Sequence, residues 1–151
     1  MSDYDPEAEI EKLGIPVEYL PLHDVLAAWD ADRRKVYCAI GLSQTQTRCS
    51  LGHELAHIEL GHHRCSYGTA PVLSTLSQER AAELWAARKL ISVVEVTIAK
   101  ESGLPTNTIA HALGVTERMY RARLLAEKDD ESRWLGNLGA DSVTAGRVRS
   151  T

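Results

Sequence analysis

Arg48-Cys49-Ser50-Leu51-Gly52-His53-Glu54-Leu55-Ala56-His57 is the stretch on which the reading of the whole chain turns. At about 3.6 residues per turn, His53 and His57 stand one above the other on a single helix face, close enough to bind one metal ion. Glu54 sits beside the first histidine, where its carboxylate can reach a water on that ion rather than the ion itself. Leu51, Leu55 and Ile58 supply an apolar stripe, Thr47 or Ser50 can cap the start, and Gly61 fits a C-terminal stop. The spacing therefore predicts a metal-bearing helix. The plainer alternative is a solvated helix with histidines on its polar face.

Two imidazoles need a third protein ligand, since a catalytic zinc keeps three and leaves a position for water. Three residues are candidates. Glu79 lies in Ser77-Gln78-Glu79-Arg80-Ala81-Ala82-Glu83-Leu84-Trp85-Ala86-Ala87-Arg88-Lys89-Leu90-Ile91, a run of strong helix formers without Gly or Pro. A second helix bringing Glu79 to the metal would complete a His-His-Glu site, and Glu83, one turn on, could accept a ring N–H from a ligand histidine. His63 stands at the spacing of peptidases whose third ligand is another histidine. That arrangement wants a glycine where this chain has Leu60, with Gly61 one residue late. Cys65 is the third candidate, as a thiolate, although no second cysteine lies near it in sequence.

Three segments together resemble the ImmA/IrrE-type metallopeptidases, small bacterial and mobile-element regulators similar in fold to thermolysin-like zincins. The segment from Arg48 to His57 looks like the family's basic residue and hydrophobic step into the zinc helix. Glu79 to Ile91, with Trp85-Ala86 ahead of paired aliphatics, resembles its second helix. Ile109 to Thr116, followed by Arg118 to Leu125, resembles the helical segment that follows the peptidase core. The resemblance covers roughly residues 15 to 126. It implies His53, His57 and Glu79 as ligands of one zinc ion per chain, and Glu54 as the catalytic carboxylate. It also implies a protein substrate, a helix-turn-helix repressor of a phage or mobile element. Where many relatives carry Asn or Asp, this chain has Glu83.

The remaining sequence is read around that centre. Val17 to Leu20 is a strand candidate, and Asp24 to Trp29 and Lys35 to Ile40 bracket the charged turn Asp30-Ala31-Asp32-Arg33-Arg34 as a hairpin. Lys35-Val36-Tyr37-Cys38-Ala39-Ile40 is expected to be the edge strand that pairs with an extended substrate. Gly61 to Ser77, rich in Gly, Ser, Thr, His and Pro, reads as a loop crossing near the site, where Tyr67, His62 or His63 could donate to an oxyanion. Met1 to Glu9 is expected to fray. The fold class is α+β: a minimal zincin-like core over residues 1–92, a helix-turn-helix-like appendage over 93–135, and a disordered tail over 136–151.

Within the appendage, Val94 to Lys100, Thr106 to Leu113 and Glu117 to Lys128 read as three short helices. Arg118, Arg121 and Arg123 could face DNA, as in a helix-turn-helix transcription factor. Against this, Arg118, Arg121, Arg123 and Lys128 outnumber Glu117 and Glu127 by only two, and the whole chain of 151 residues has a net charge of -4. A packing or protein-docking module fits that balance better. A further alternative is a zincin fold that binds a repressor without cutting it. With 44% hydrophobic residues the chain can bury a core. It shows no signal-peptide pattern and no long apolar run, and its cysteines, Cys38, Cys49 and Cys65, are too few for a disulfide framework. A cytoplasmic protein with no membrane contact is expected.

Overall fold

The computed structural model describes residues 3–62 and 72–148, with side chains described for 3–62 and 75–139. Nine elements follow one another: α1 (Pro6–Lys12), β1 (Val17–Leu20), β2 (Ala27–Asp30), β3 (Lys35–Ala39), α2 (Gln44–Glu59), α3 (Val72–Leu90), α4 (Val93–Ser102), α5 (Thr106–Leu113) and α6 (Glu117–Val148). This is the α+β class: a small mixed sheet and a set of helices, in an arrangement that fits a zincin-like core followed by helices.

Of the Met1–Glu9 segment expected to fray, Pro6 to Glu9 are helical. Asp5 caps α1, its side chain accepting from the Glu7 and Ala8 amides, and Pro6 occupies the first turn, where no donor is lost. Ile10 and Pro6 are buried beneath it. The hairpin forms as expected, with Asp30 Oδ1 accepting from the Asp32 and Arg33 amides at the turn. β1 then pairs parallel to β3 on the other side, giving the order β1-β3-β2.

Helix α2 lies at the centre. Ser43, rather than Thr47 or Ser50, is its N-cap, closing a capping box with Gln46, and Gly61 supplies the left-handed residue (φ +68°) just past its end. On one side Leu51 and Leu55 pack with Ile10, Ile15, Trp29, Val36 and Cys38 from α1, its following loop and the sheet. On the other, Cys49 and Ala56 join Ala82, Ala86, Leu90 and residues of α4, α5 and α6. A helix covered on both sides has no single apolar face. The stripe foreseen in α2 marks only its sheet-facing side, with Ile58 half-buried.

Two helices are longer than their sequences suggest. α3 is described from Val72, so its first turns already occupy part of the expected Gly61–Ser77 loop, in a run of helix formers without Gly or Pro. α6 passes Lys128 and runs to Val148, over most of the segment expected to be disordered. No proline follows Pro105 to stop it. One apolar cluster includes residues from both sides of position 92, from Cys49 to Ala122.

Arg48 fastens these parts. Its Nε donates to Tyr4 O at 3.4 Å, Nη1 to Leu113 O at 3.5 Å and Gly114 O at 3.1 Å, and Nη2 to Leu90 O at 3.4 Å. One guanidinium thus holds the N-terminal segment and the carboxyl ends of α3 and α5 against α2. Among the described residues, no helix is long and apolar enough to cross a membrane.

Candidate active site

His53 and His57 project from successive turns of α2, and Glu79 from α3, which packs along it. Their ligand-capable atoms all lie within 4.8 Å of one another. His53 Nε2 and His57 Nε2 are 3.1 Å apart. The two carboxylate oxygens of Glu79 approach them at 2.8 Å and 3.2 Å. Both histidines therefore point the same ring nitrogen at one spot.

Hydrogen bonds from His53 and then His57 hold the Glu79 carboxyl well below the usual carboxylate range, outweighing the burial that would raise it. Two imidazole nitrogens and a carboxylate converging on one point form a donor set that could hold a metal ion. The two Nε2 atoms, 3.1 Å apart, together with the Glu79 carboxylate are groups that one cation could hold in place of the protons they now share. By this test the residues fit a metal.

A family model described as the IrrE N-terminal-like domain, of the Peptidase_M78 type, matches residues 10–125. The chain belongs to this peptidase family. A comparison with curated proteins finds no match. The family match runs from within α1 into the first turns of α6, so α4 and α5 lie inside the matched residues.

Glu54 is 3% exposed and shares the site's cleft with His53 and Glu79, beside His53 as its position in the helix requires. The cleft has a volume of about 470 Å³. Val25, Leu26 and Ala27 line it, as do Thr116, just before α6, and Arg118 and Met119 of its first turn. These wall residues come from segments distant in sequence and carry no motif. Nothing local in the sequence marks them.

Three sequence expectations are corrected here. Lys35-Val36-Tyr37-Cys38-Ala39-Ile40 cannot be a substrate-pairing edge, because β3 is the central strand: its amides serve β1 on one side, as in Val36 N to Pro16 O and Ile40 N to Leu20 O, and β2 on the other, as in Ala39 N to Leu26 O. Glu83 does not support a ligand histidine. Its Oε1 accepts instead from Arg118 Nε at 2.6 Å. His62 lies 3.0 Å from His57 Nδ1, the ring atom opposite the one facing Glu79, so it is behind the ligand rather than over the substrate as an oxyanion donor.

The His57–His62 contact joins two ring nitrogens, one of which carries the proton between them. If His57 offers the Nε2 lone pair to a metal, its Nδ1 carries the proton and donates to His62 Nδ1. A neutral His62 suits that acceptor role, and burial, then the neighbouring His57, lowers its pKa. A glutamate one turn from the ligand was the expected supporter. A histidine just beyond the helix's last turn takes the place, bent back by Gly61. His63, Cys65 and Tyr67 lie outside the described residues.

Proposed function

We propose that this protein is a zinc-dependent endopeptidase that cuts a regulatory protein, a helix-turn-helix repressor of a phage or mobile element, in the cytoplasm. The observation that carries the reading is the convergence of His53, His57 and Glu79, with Glu54 beside them in an open cleft, within a peptidase family. Two buried free thiols, Cys38 and Cys49, suit a reducing compartment.

His53 Nε2, His57 Nε2 and a Glu79 oxygen would hold one zinc ion. When bound, zinc supplies Lewis-acid chemistry, bringing the pKa of water toward neutrality and polarising a carbonyl. Glu54, withdrawn from bulk water, is the general base: its carboxylate takes the proton of the attacking water and passes it to the departing amine nitrogen. His62 holds His57 in the tautomer that keeps Nε2 available.

The substrate backbone would pair with β2, the sheet edge beside the cleft. Ala39 N donating to Leu26 O at 2.8 Å sets the alternation of the ladder, so the backbone groups of Ala27 and Trp29 point away from β3. Among the described residues they have no backbone partner, and Ala27 lines the cleft. An extended peptide added there would pass over Glu54 and the ligands.

The test combines elemental analysis with a cleavage assay on candidate repressors. Purified protein should carry about one zinc per chain, lost in Glu79→Ala and kept in Glu54→Gln. Glu54→Gln should lose roughly a hundredfold or more in cleavage rate. A Glu54→Gln protein that still relieves repression would point to the binding scaffold instead. No zinc uptake on reconstitution would end the peptidase reading.

A further inference from the structure

We propose that Arg118 selects substrates carrying an acidic side chain next to the bond that is cut. This rests on the peptidase reading above and adds a specificity residue to it. Arg118 is the only cationic side chain among the described residues lining the cleft, which also holds Glu54, Glu79 and Glu83. Its side chain is 84% exposed, yet it is anchored: Nε donates to Glu83 Oε1 at 2.6 Å, while the Glu83 side chain is 27% exposed.

One edge of the guanidinium is therefore fixed by α3, the helix that carries Glu79. The terminal nitrogens Nη1 and Nη2 have no partner among the described residues. A planar donor fork, oriented at one nitrogen and open at two, is arranged to take a carboxylate in the bidentate manner that arginine favours. A basic substrate side chain would have to compete with Arg118 for Glu83. An acidic one binds without breaking the existing pair. The neighbouring wall, formed by Val25, Leu26 and Met119, is apolar, so the carboxylate has no other cationic group to meet in the cleft.

The experiment is digestion of a synthetic peptide library by the zinc-loaded full chain, each peptide holding one apolar residue with the flanking positions varied and the products read by mass spectrometry. Glu54→Gln serves as the blank. Wild type should favour Asp or Glu on one side of the cleaved bond by roughly fivefold over Gln, the scale of an exposed ion pair. Arg118→Gln should remove that preference.

The decisive variant is the double exchange Glu83→Arg with Arg118→Glu, which preserves the ion pair while reversing the charge presented to the cleft. Reversal of the preference, from acidic to basic, supports selection by Arg118. If the double exchange restores the original acidic preference, the pair is only a structural tie and the proposal falls. Cleavage with no charge preference in wild type also overturns it. No cleavage above the Glu54→Gln blank would instead overturn the peptidase reading beneath it.

Discussion

Replacing Arg48 by Met tests whether α2, the Glu79 helix and the α5–α6 turn are held as one body by a single cation. Met keeps the aliphatic stem and removes the guanidinium, so loss of packing is largely separated from loss of charge. Of the four carbonyl contacts, only that to Gly114, at 3.1 Å, has ordinary length, and a hydrogen bond from a charged donor contributes about 1.5–3 kcal/mol. The others, at 3.4–3.5 Å, are weaker. Leu90 and Leu113 are the last residues of α3 and α5, so the cation also meets two helix carboxyl ends, each worth about 0.3–1 kcal/mol. The total loss is about 3 kcal/mol, or a fall in Tm of roughly 6–12 °C for a chain of this size. Urea unfolding in the presence of a chelator, which excludes metal linkage, measures it. Lys at the same position should recover less than half, because one ammonium cannot span carbonyls on three segments. A loss under about 0.5 kcal/mol in both Met and Ala variants would show that the latch contributes nothing to the fold.

Zinc added at a hundred times its dissociation constant should stabilise the wild type by about 2.7 kcal/mol and leave Glu79→Ala unmoved in a thermal melt, and an equal shift in both would place the ion elsewhere. Gly52 faces α3 so closely that an added Cβ would lie 3.1 Å from Leu90 Cδ1. Gly52→Ala should stay within about 1 kcal/mol of wild type, since gained helix propensity offsets the squeeze, whereas Gly52→Val should cost about 1–3 kcal/mol in urea unfolding. If Val were as stable as Ala, the close approach would not constrain the helices. Burial, with Glu9 and Glu59 nearby, raises the Tyr4 phenol from 10.0 to about 12. The fold thus favours the neutral phenol, and the associated stability is complete below pH 10 and lost as pH rises through about 12. Alkaline titration by tyrosinate absorbance should show Tyr4→Phe removing a late transition, and an unchanged curve would refute that burial.

The centre of the site was legible because its information is local. Helical spacing alone places His53 and His57 on one face with Glu54 beside them, and the hairpin follows from Asp30 and the charged turn between two apolar runs. Glu79 needed the resemblance, since nothing in its own helix separates a ligand from an exposed acid. The sheet order was not legible: alternation in Lys35–Ala39 looks the same in a central strand as in an edge strand, and only the distant pairing with Val17–Leu20 decides. Two capping signals were present but outweighed by composition, Asp5-Pro6 before α1 and Ser43 with Gln46 before α2. The role of His62 depends on the chain reversing at Gly61, and the Glu83–Arg118 pair joins helices whose approach no local pattern states.

The helices after residue 92 illustrate how packing reassigns residues that look like a nucleic-acid face. Arg118, Arg121 and Arg123 recur along one helix in the manner of a DNA-reading element, yet each also meets a group of the protein itself. Arg123 is 4% exposed and its Nε donates to Ile91 O at 2.8 Å, closing the carboxyl end of α3 where no phosphate could reach it. Arg121 pairs with Glu117 along its own helix, and Arg118 belongs to the cleft. Val96, Ala99, Ile109 and Tyr120 meanwhile complete the same apolar cluster as Ala56 of the metal helix and Ala82 and Ala86 of the Glu79 helix. Removing α4 to α6 would thus strip one wall from the cleft and uncover the side of α2 opposite the sheet. The segment shares its apolar cluster with α2 and α3, and Arg123 is explained by what it holds in place at the end of α3.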